Sequence, residues 1–349
     1  MASKDIKDKD IDVIVLEKIK SIDGFATNKL KLKFTGTEVN FILINTLRRI
    51  AMSLLGSFAF DPDYINIERN TSIFDNNYMK LRIANTPIIN KDYNKMVVKN
   101  TEELITKFLE QEINANTSIF EMKKDELQLL AEVEEKKKEM LDNLHMSIEA
   151  RNRTDQIMEV TTNEQFTSFF VKDKKVGDIY PKEVLIIKLK PGEDFICTAI
   201  ANLNIPMINN IYSSCTIFSY EEISENDFEV VIESQRQISE EDIIKRCCKI
   251  LILKMSNIRD KLIDKIQQKY DNEYEAEIKI ENENHTLGNI LTRCLQDHKN
   301  MEYCGYKIDH PDINELTIRF KTEGKKFTQI LDDVVKKQIK ILEKIISSV

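Results

Sequence analysis

Residues 285–293 read His285-Thr-Leu-Gly-Asn-Ile-Leu-Thr-Arg293, and residues 45–49 read Asn45-Thr-Leu-Arg-Arg49. Set together, Asn45 falls on Asn289, Leu47 on Leu291 and Arg49 on Arg293. Each stretch lies on a predicted helix that follows a strand. Upstream of the first, Asn28-Lys-Leu-Lys-Leu-Lys-Phe34 alternates strictly, with Leu30, Leu32 and Phe34 on one face. Upstream of the second, Glu275 to Ile280 reads the same way. The first helix is predicted over residues 38–55, capped by Thr37, with Val39, Ile42, Leu43, Leu47, Ile50 and Leu54 at helical spacing. The second is predicted over His285 to Asp297.

Working outward, the later helix is followed by strands at Met301 to Ile308 and Glu315 to Lys321, around a turn at His310-Pro311-Asp312, and by a long helix from Phe327 to Ile346. With residues 57–213 set aside, the earlier helix has the same sequel. Strands are predicted at Cys215 to Tyr220 and Phe228 to Glu233, and a helix capped by Ser239 runs to about Tyr270. Both closing helices are apolar over a wider arc than one sheet face needs, so packing them together would bury the surplus. The expected fold class is therefore α+β. Two helix-on-antiparallel-sheet repeats form an intramolecular pseudo-twofold dimer, linked near Tyr270 to Tyr274, with a large mixed insert domain in the first repeat. The expected divisions are an N-terminal tail or edge element (1–27), a first repeat in two pieces (28–56 and 214–272), the insert (57–213) and a second repeat (273–349). Within the insert, helices are predicted at 101–112 and, highly charged, from Glu121 to Glu149. Strands are expected at Tyr64 to Glu68, Val184 to Leu189 and Phe195 to Ala201.

Composition excludes several classes. Of 349 residues 8 are glycine, too few for a glycine-rich phosphate loop or a flexible linker. Net charge is −8, which disfavours a broad nucleic-acid grip, since phosphate binding needs clustered cations. The six cysteines form no Cys-x-x-Cys pair and no zinc spacing with histidine, so buried thiols in a reducing compartment are expected. Met-Ala-Ser-Lys-Asp lacks an apolar leader core and no run reaches about 20 apolar residues, so a soluble intracellular protein is expected. There is no Asp-rich metal loop and no nucleophile triad at known spacing, so no catalytic residue is expected.

Individual residues carry narrower expectations. Arg48 and Arg49 face about 100° apart on their helix. One can lean on the core edge while the other reaches a partner. Asn45 and Asn289 could be buried amides that bond backbone and fix register. His285 could cap its helix or pack in the dimer seam. Gly288, costly inside a helix, is explained by a close helix approach. The seam is expected to hold Ile50, Leu54, Ile250, Leu251, His285, Leu287, Gly288, Asn289, Leu291, Val334 and Ile341.

His285-Thr-Leu-Gly-Asn289 with Gly305-Tyr-Lys-Ile-Asp-His-Pro311 resembles the eleventh-subunit family of nuclear RNA polymerase II. The front resembles the third subunit of that enzyme, itself similar to bacterial alpha. The residues that carry this are Asn45-Thr-Leu-Arg-Arg-Ile50, Ile67-Glu-Arg-Asn-Thr-Ser72, Asn77-Tyr-Met-Lys-Leu-Arg82, Leu189-Lys-Pro-Gly-Glu193 and Phe228 to Ser234. The resemblance implies a natural fusion of two polymerase assembly subunits, as large cytoplasmic DNA viruses make. The abundance of Lys, Ile and Asn, residues with AT-rich codons, fits such an origin.

On that resemblance, Asn45, Leu47, Arg48 and Arg49 meet another subunit, the pair of arginines contacting the second-largest one. Further partners are the largest subunit and small zinc-binding subunits. Magnesium and zinc belong to other subunits, DNA is met only through the complex, and neither a membrane nor a homo-oligomer is required. The implied location is the viral factory in host cytoplasm and the virion, or otherwise the nucleus. Two departures stand out: the insert lacks the family's frequent zinc-binding cysteine cluster, and Asn204-Ile-Pro-Met-Ile-Asn-Asn-Ile-Tyr212 replaces its usual loop. The alternative from another class is a stand-alone structural protein that self-associates through its helices.

Overall fold

The computed structural model describes residues 10–19, 28–89, 144–171, 174–177, 179–180, 182–269, 273–281, 283–309 and 315–349. The chain opens with β1 (Asp12–Ile19), β2 (Asn28–Thr35) and α1 (Phe41–Ser53). Then come β3 (Ser57–Asn70), α2 (Asn76–Ala84), β4 (Leu144–Arg151), β5 (Met158–Thr161), β6 (Thr167–Val171), β7 (Lys174–Val176), β8 (Leu185–Leu189), β9 (Asp194–Asn204) and a 3-10 turn at Asn210–Tyr212. It continues with β10 (Cys215–Ser224), β11 (Asp227–Ser234) and α3 (Glu240–Lys269). The last segment is β12 (Glu275–Glu281), α4 (His285–Gln296), β13 (Met301–Ile308), β14 (Glu315–Thr322) and α5 (Phe327–Ser348).

The first sheet is antiparallel in the order β1-β2-β11-β10, and the last is antiparallel in the order β12-β14-β13. Alternation explains both. Leu30, Leu32 and Phe34 pair with Ile232, Val230 and Phe228, and all six are fully buried beneath helices. The intervening lysines face outward, where Lys31 and Lys33 reach Glu229 and Asp227 at 2.5 and 2.9 Å. In the last sheet Ile278, Ile280 and Ala276 lie opposite Ile318, Leu316 and Phe320. Strand β1, expected within a tail or edge element, is the outer strand of the first sheet and sends Val13 into the core.

Helix α1 starts later than its sequence predicts. Gly36 turns the chain at φ +136°, and a Cβ there would sit 2.5 Å from the carbonyl oxygen of Asp10. Val39 closes that turn by donating to Gly36 O, and Asn40, not Thr37, caps the helix by accepting from Leu43 N at 2.9 Å. Ser239 Oγ accepts from Asp242 N at 3.2 Å, as expected of the α3 cap. Helix α3, roughly 45 Å long at 1.5 Å per residue, packs along α5 and also touches α1 and α4.

One continuous apolar core joins the two helix-and-sheet units, with Ile250, Leu251, Met255 and Ile258 of α3 and Leu331, Val334, Ile341 and Leu342 of α5 in it. Charged links cross between the units as well. Lys254 Nζ lies 3.0 and 3.2 Å from the Glu283 carboxylate, whose side chain is 4% exposed. Lys337 meets Glu38 and Lys344 meets Asp10, both nearer solvent and so worth less.

The segment between α1 and β10 has a core of its own, in a sheet ordered β3-β9-β4-β6-β7 with α2 and the β5-β8 pair. Asp194, with 1% of its side chain exposed, takes Arg153 at 2.7 Å and Arg69 at 3.0 Å. The Arg153 hydrogen bond, with the two cations, holds its carboxyl below the ordinary value. Residues 144–151 are a strand, not the end of a charged helix: Leu144, Met146, Ile148 and Ala150 alternate and are buried. The remainder of that expected helix, the one at 101–112, the turn at 310–312 and residues 270–272 of the link lie outside the described residues.

Candidate subunit interface

Helix α1 has two faces. Leu43, Ile44, Leu47, Ile50 and Ala51 are buried. Leu47 is fully buried, which removes it from the residues expected to meet a partner: helical rotation carries it inward from the motif it belongs to. The opposite stripe is Phe41, Asn45, Arg48 and Met52. Asn45 is half-buried, and its Oδ1 accepts from Arg48 Nε at 3.0 Å. The amide therefore holds a guanidinium rather than backbone, and Arg48 is half-buried. Arg49 is exposed and stands close enough to the second unit to act on Tyr306 of β13, whose phenol burial pushes up and the nearby cation pulls down. Among the described residues neither arginine is paired with a carboxylate.

The helix carrying the second motif differs in detail. Asn284, not His285, caps α4, accepting from Thr286 N at 2.9 Å. His285 is exposed rather than held in a seam, with Nδ1 3.3 Å from Tyr306 Oη and its ring edge-on to that tyrosine in its own unit. Gly288 serves a close approach of α4 to its own sheet, not to another helix. An added Cβ would stand 2.7 Å from Leu316 Cδ1 and 2.9 Å from the Tyr306 ring. Gly288→Ala is therefore expected to destabilise by about 1–2 kcal/mol, overpacking outweighing the gain in helix propensity. A chemical-denaturation midpoint at or above that of the parent would contradict this.

Asn289 is half-buried like Asn45. Ile50, Ile250, Leu251, Leu287, Leu291, Val334 and Ile341 lie in the core common to α1, α3, α4 and α5, with Leu54 packed against it. The six cysteines are free, and burial pushes the Cys197, Cys215, Cys294 and Cys304 thiols up to about 12, far from a reactive thiolate. Among the described residues no three His, Cys, Asp or Glu side chains are placed to hold a metal, and no helix is long and apolar enough to cross a membrane. Sequence reasoning missed Met207 and Ile208, which stand exposed beside the end of α1. The only hint was an apolar pair between a proline and two asparagines.

Residues 275–348 match the RNA polymerase Rpb3/Rpb11 dimerisation domain. The matched stretch comprises β12, α4, β13, β14 and α5. Over most of its length the chain is similar to a protein of Acanthamoeba polyphaga mimivirus named as a DNA-directed RNA polymerase subunit, at 24% identity over 87% of this chain and 85% of the relative. A shorter stretch is 45% identical to subunit RPAC2 of RNA polymerases I and III from Saccharomyces cerevisiae, over 14% of this chain and 34% of the relative. Another is 40% identical to the RNA polymerase subunit Rpo11 of Metallosphaera sedula, over 14% and 53%. The likeness to RNA polymerase subunits, including a viral one, that the motifs imply is therefore present in the chain.

Proposed function

We propose that the chain is a non-catalytic assembly subunit of a multisubunit DNA-directed RNA polymerase. It acts as both halves of an alpha-like dimer fused in one polypeptide. The observation that carries this reading is the recurrence of one topology. The order strand, helix, strand, strand, long helix occurs in β2, α1, β10, β11, α3 and again in β12, α4, β13, β14, α5, and both times the opening strand pairs with the last one, which pairs with the middle one. The long closing helices face each other across one core. On this reading residues 57–213 are an insertion in the first repeat, and the two repeats are related by a pseudo-twofold axis. Fusion replaces a bimolecular pairing with an intramolecular one, so the dimer forms at any protein concentration.

The partners proposed are the second-largest and largest subunits, which the chain nucleates, and small zinc-binding subunits. Magnesium and zinc reside in those chains, and DNA is met only through the complex. A viral factory in host cytoplasm and the virion are the proposed locations. Arg48 and Arg49 face the second-largest subunit, where a planar guanidinium suits bidentate contact with carboxylates. Arg48→Glu is expected to leave the thermal midpoint of the isolated chain unchanged and to weaken capture of that subunit at least about tenfold, as loss of a central charged anchor does. Equal capture by parent and variant would remove Arg48 from the interface, and a tagged parent chain that captures neither large subunit would overturn the assembly reading.

A further inference from the structure

The turn that follows β9 holds two apolar side chains out toward solvent without being loose itself. Met207 N donates to the α1 carbonyl of Ser53 at 3.0 Å, and Ile208 N donates to Ile205 O at 3.1 Å. Ile205 is fully buried and anchors the turn. Met207 and Ile208 are nonetheless 49% and 54% exposed, and Met52, adjacent in sequence to the Ser53 that Met207 binds, is 37% exposed. Isolated exposed apolar residues are ordinary. Here Met52 belongs to the outward stripe of α1 that carries Arg48, and the turn bearing Met207 and Ile208 is bonded to α1 at the next residue, Ser53. Beside Met52 a cleft of about 170 Å³, lined partly by Asn85, Asn210 and Gln235, supplies polar groups for a bound backbone.

We infer that Met52, Met207 and Ile208 are the apolar half of one docking surface whose charged half is Arg48 and Arg49. The occupant is a polymerase subunit that brings carboxylates to the arginines and an apolar hollow to the turn. Charge complementarity selects it: the chain is acidic overall, at net charge −8, yet these two arginines have no carboxylate among the described residues. Because the turn is already fixed by backbone hydrogen bonds, burying its side chains costs little ordering. The inference rests on the assembly reading above and adds to it the residues that distinguish this chain's turn from its family pattern.

The test uses the full chain co-expressed with the two large polymerase subunits, comparing the parent with Met207→Asp/Ile208→Asp and with the milder Met207→Gln/Ile208→Thr. Both variants are expected to keep the parent's thermal midpoint as isolated chains. The aspartate pair should lose capture of the subunit that Arg48 engages at least about tenfold, and the milder pair should lose less. Undiminished capture by both variants overturns the inference while leaving the assembly reading in place. Failure of the parent itself to capture either large subunit overturns the assembly reading and the inference with it. If the aspartate variant unfolds, the milder pair decides, since a folded pair with parental capture is equally contrary. A variant that alters only self-association of the chain, read by its mass in solution, would assign the turn to a second copy and overturn the inference too.

Discussion

Phe320→Ala is expected to cost about 3–5 kcal/mol of stability, as aromatic truncations in packed cores do. Phe320 lies on the central strand of the last sheet, opposite Ala276 and Cys304. Its ring stacks on Phe327, the first residue of α5, with centroids 3.7 Å apart and planes 14° from parallel, and neither ring has any exposure. Removing the ring leaves a hole between the sheet and the start of α5, and the rigid strand pairing on both sides limits collapse. Because α5 is packed on α3, loosening its start weakens the contact between units as well as the last unit itself. Guanidinium denaturation followed by circular dichroism measures the effect, and a loss below about 1 kcal/mol would contradict the packing described.

The second large effect is at the link between units. Glu283→Ala leaves Lys254, whose side chain is 12% exposed, without its carboxylate. An uncompensated charge in such a place costs roughly 3–5 kcal/mol, much more than the intact pair contributes over an apolar replacement. The double variant Lys254→Met/Glu283→Leu is therefore expected to recover most of that loss. The resulting non-additivity, measured as a double-mutant cycle, reports a contact between α3 and the segment that leads into α4. Additive effects would mean that the two residues do not meet in solution.

Much of the architecture was legible because it rests on periodicity. Leu30, Leu32 and Phe34 alternate, the apolar arcs of α3 and α5 are wide, and the burial of these residues follows the pattern. Leu47 lies inward, as its spacing from Leu43 and Ile50 requires, whereas its motif neighbours Arg48 and Arg49 are rotated away from the core. At residues 144–151 a long charged run obscured a short alternation. The cap at Asn40 differs from expectation because a helix begins where the preceding turn releases the chain, and that turn is fixed by tertiary contact, at Gly36 against Asp10. The Lys254–Glu283 pair has no local signature, and the exposed Met207 and Ile208 have only their place between a proline and two asparagines. Which charges meet across a seam, and which apolar side chains remain uncovered, are properties of the packed chain.

Native mass spectrometry of the complex that the full chain forms with the two large polymerase subunits tests the central claim most directly. A fused dimer equivalent predicts a single copy of this chain for each pair of large subunits. Two copies in the complex would show that one chain does not supply both halves of the dimer, and would contradict the account.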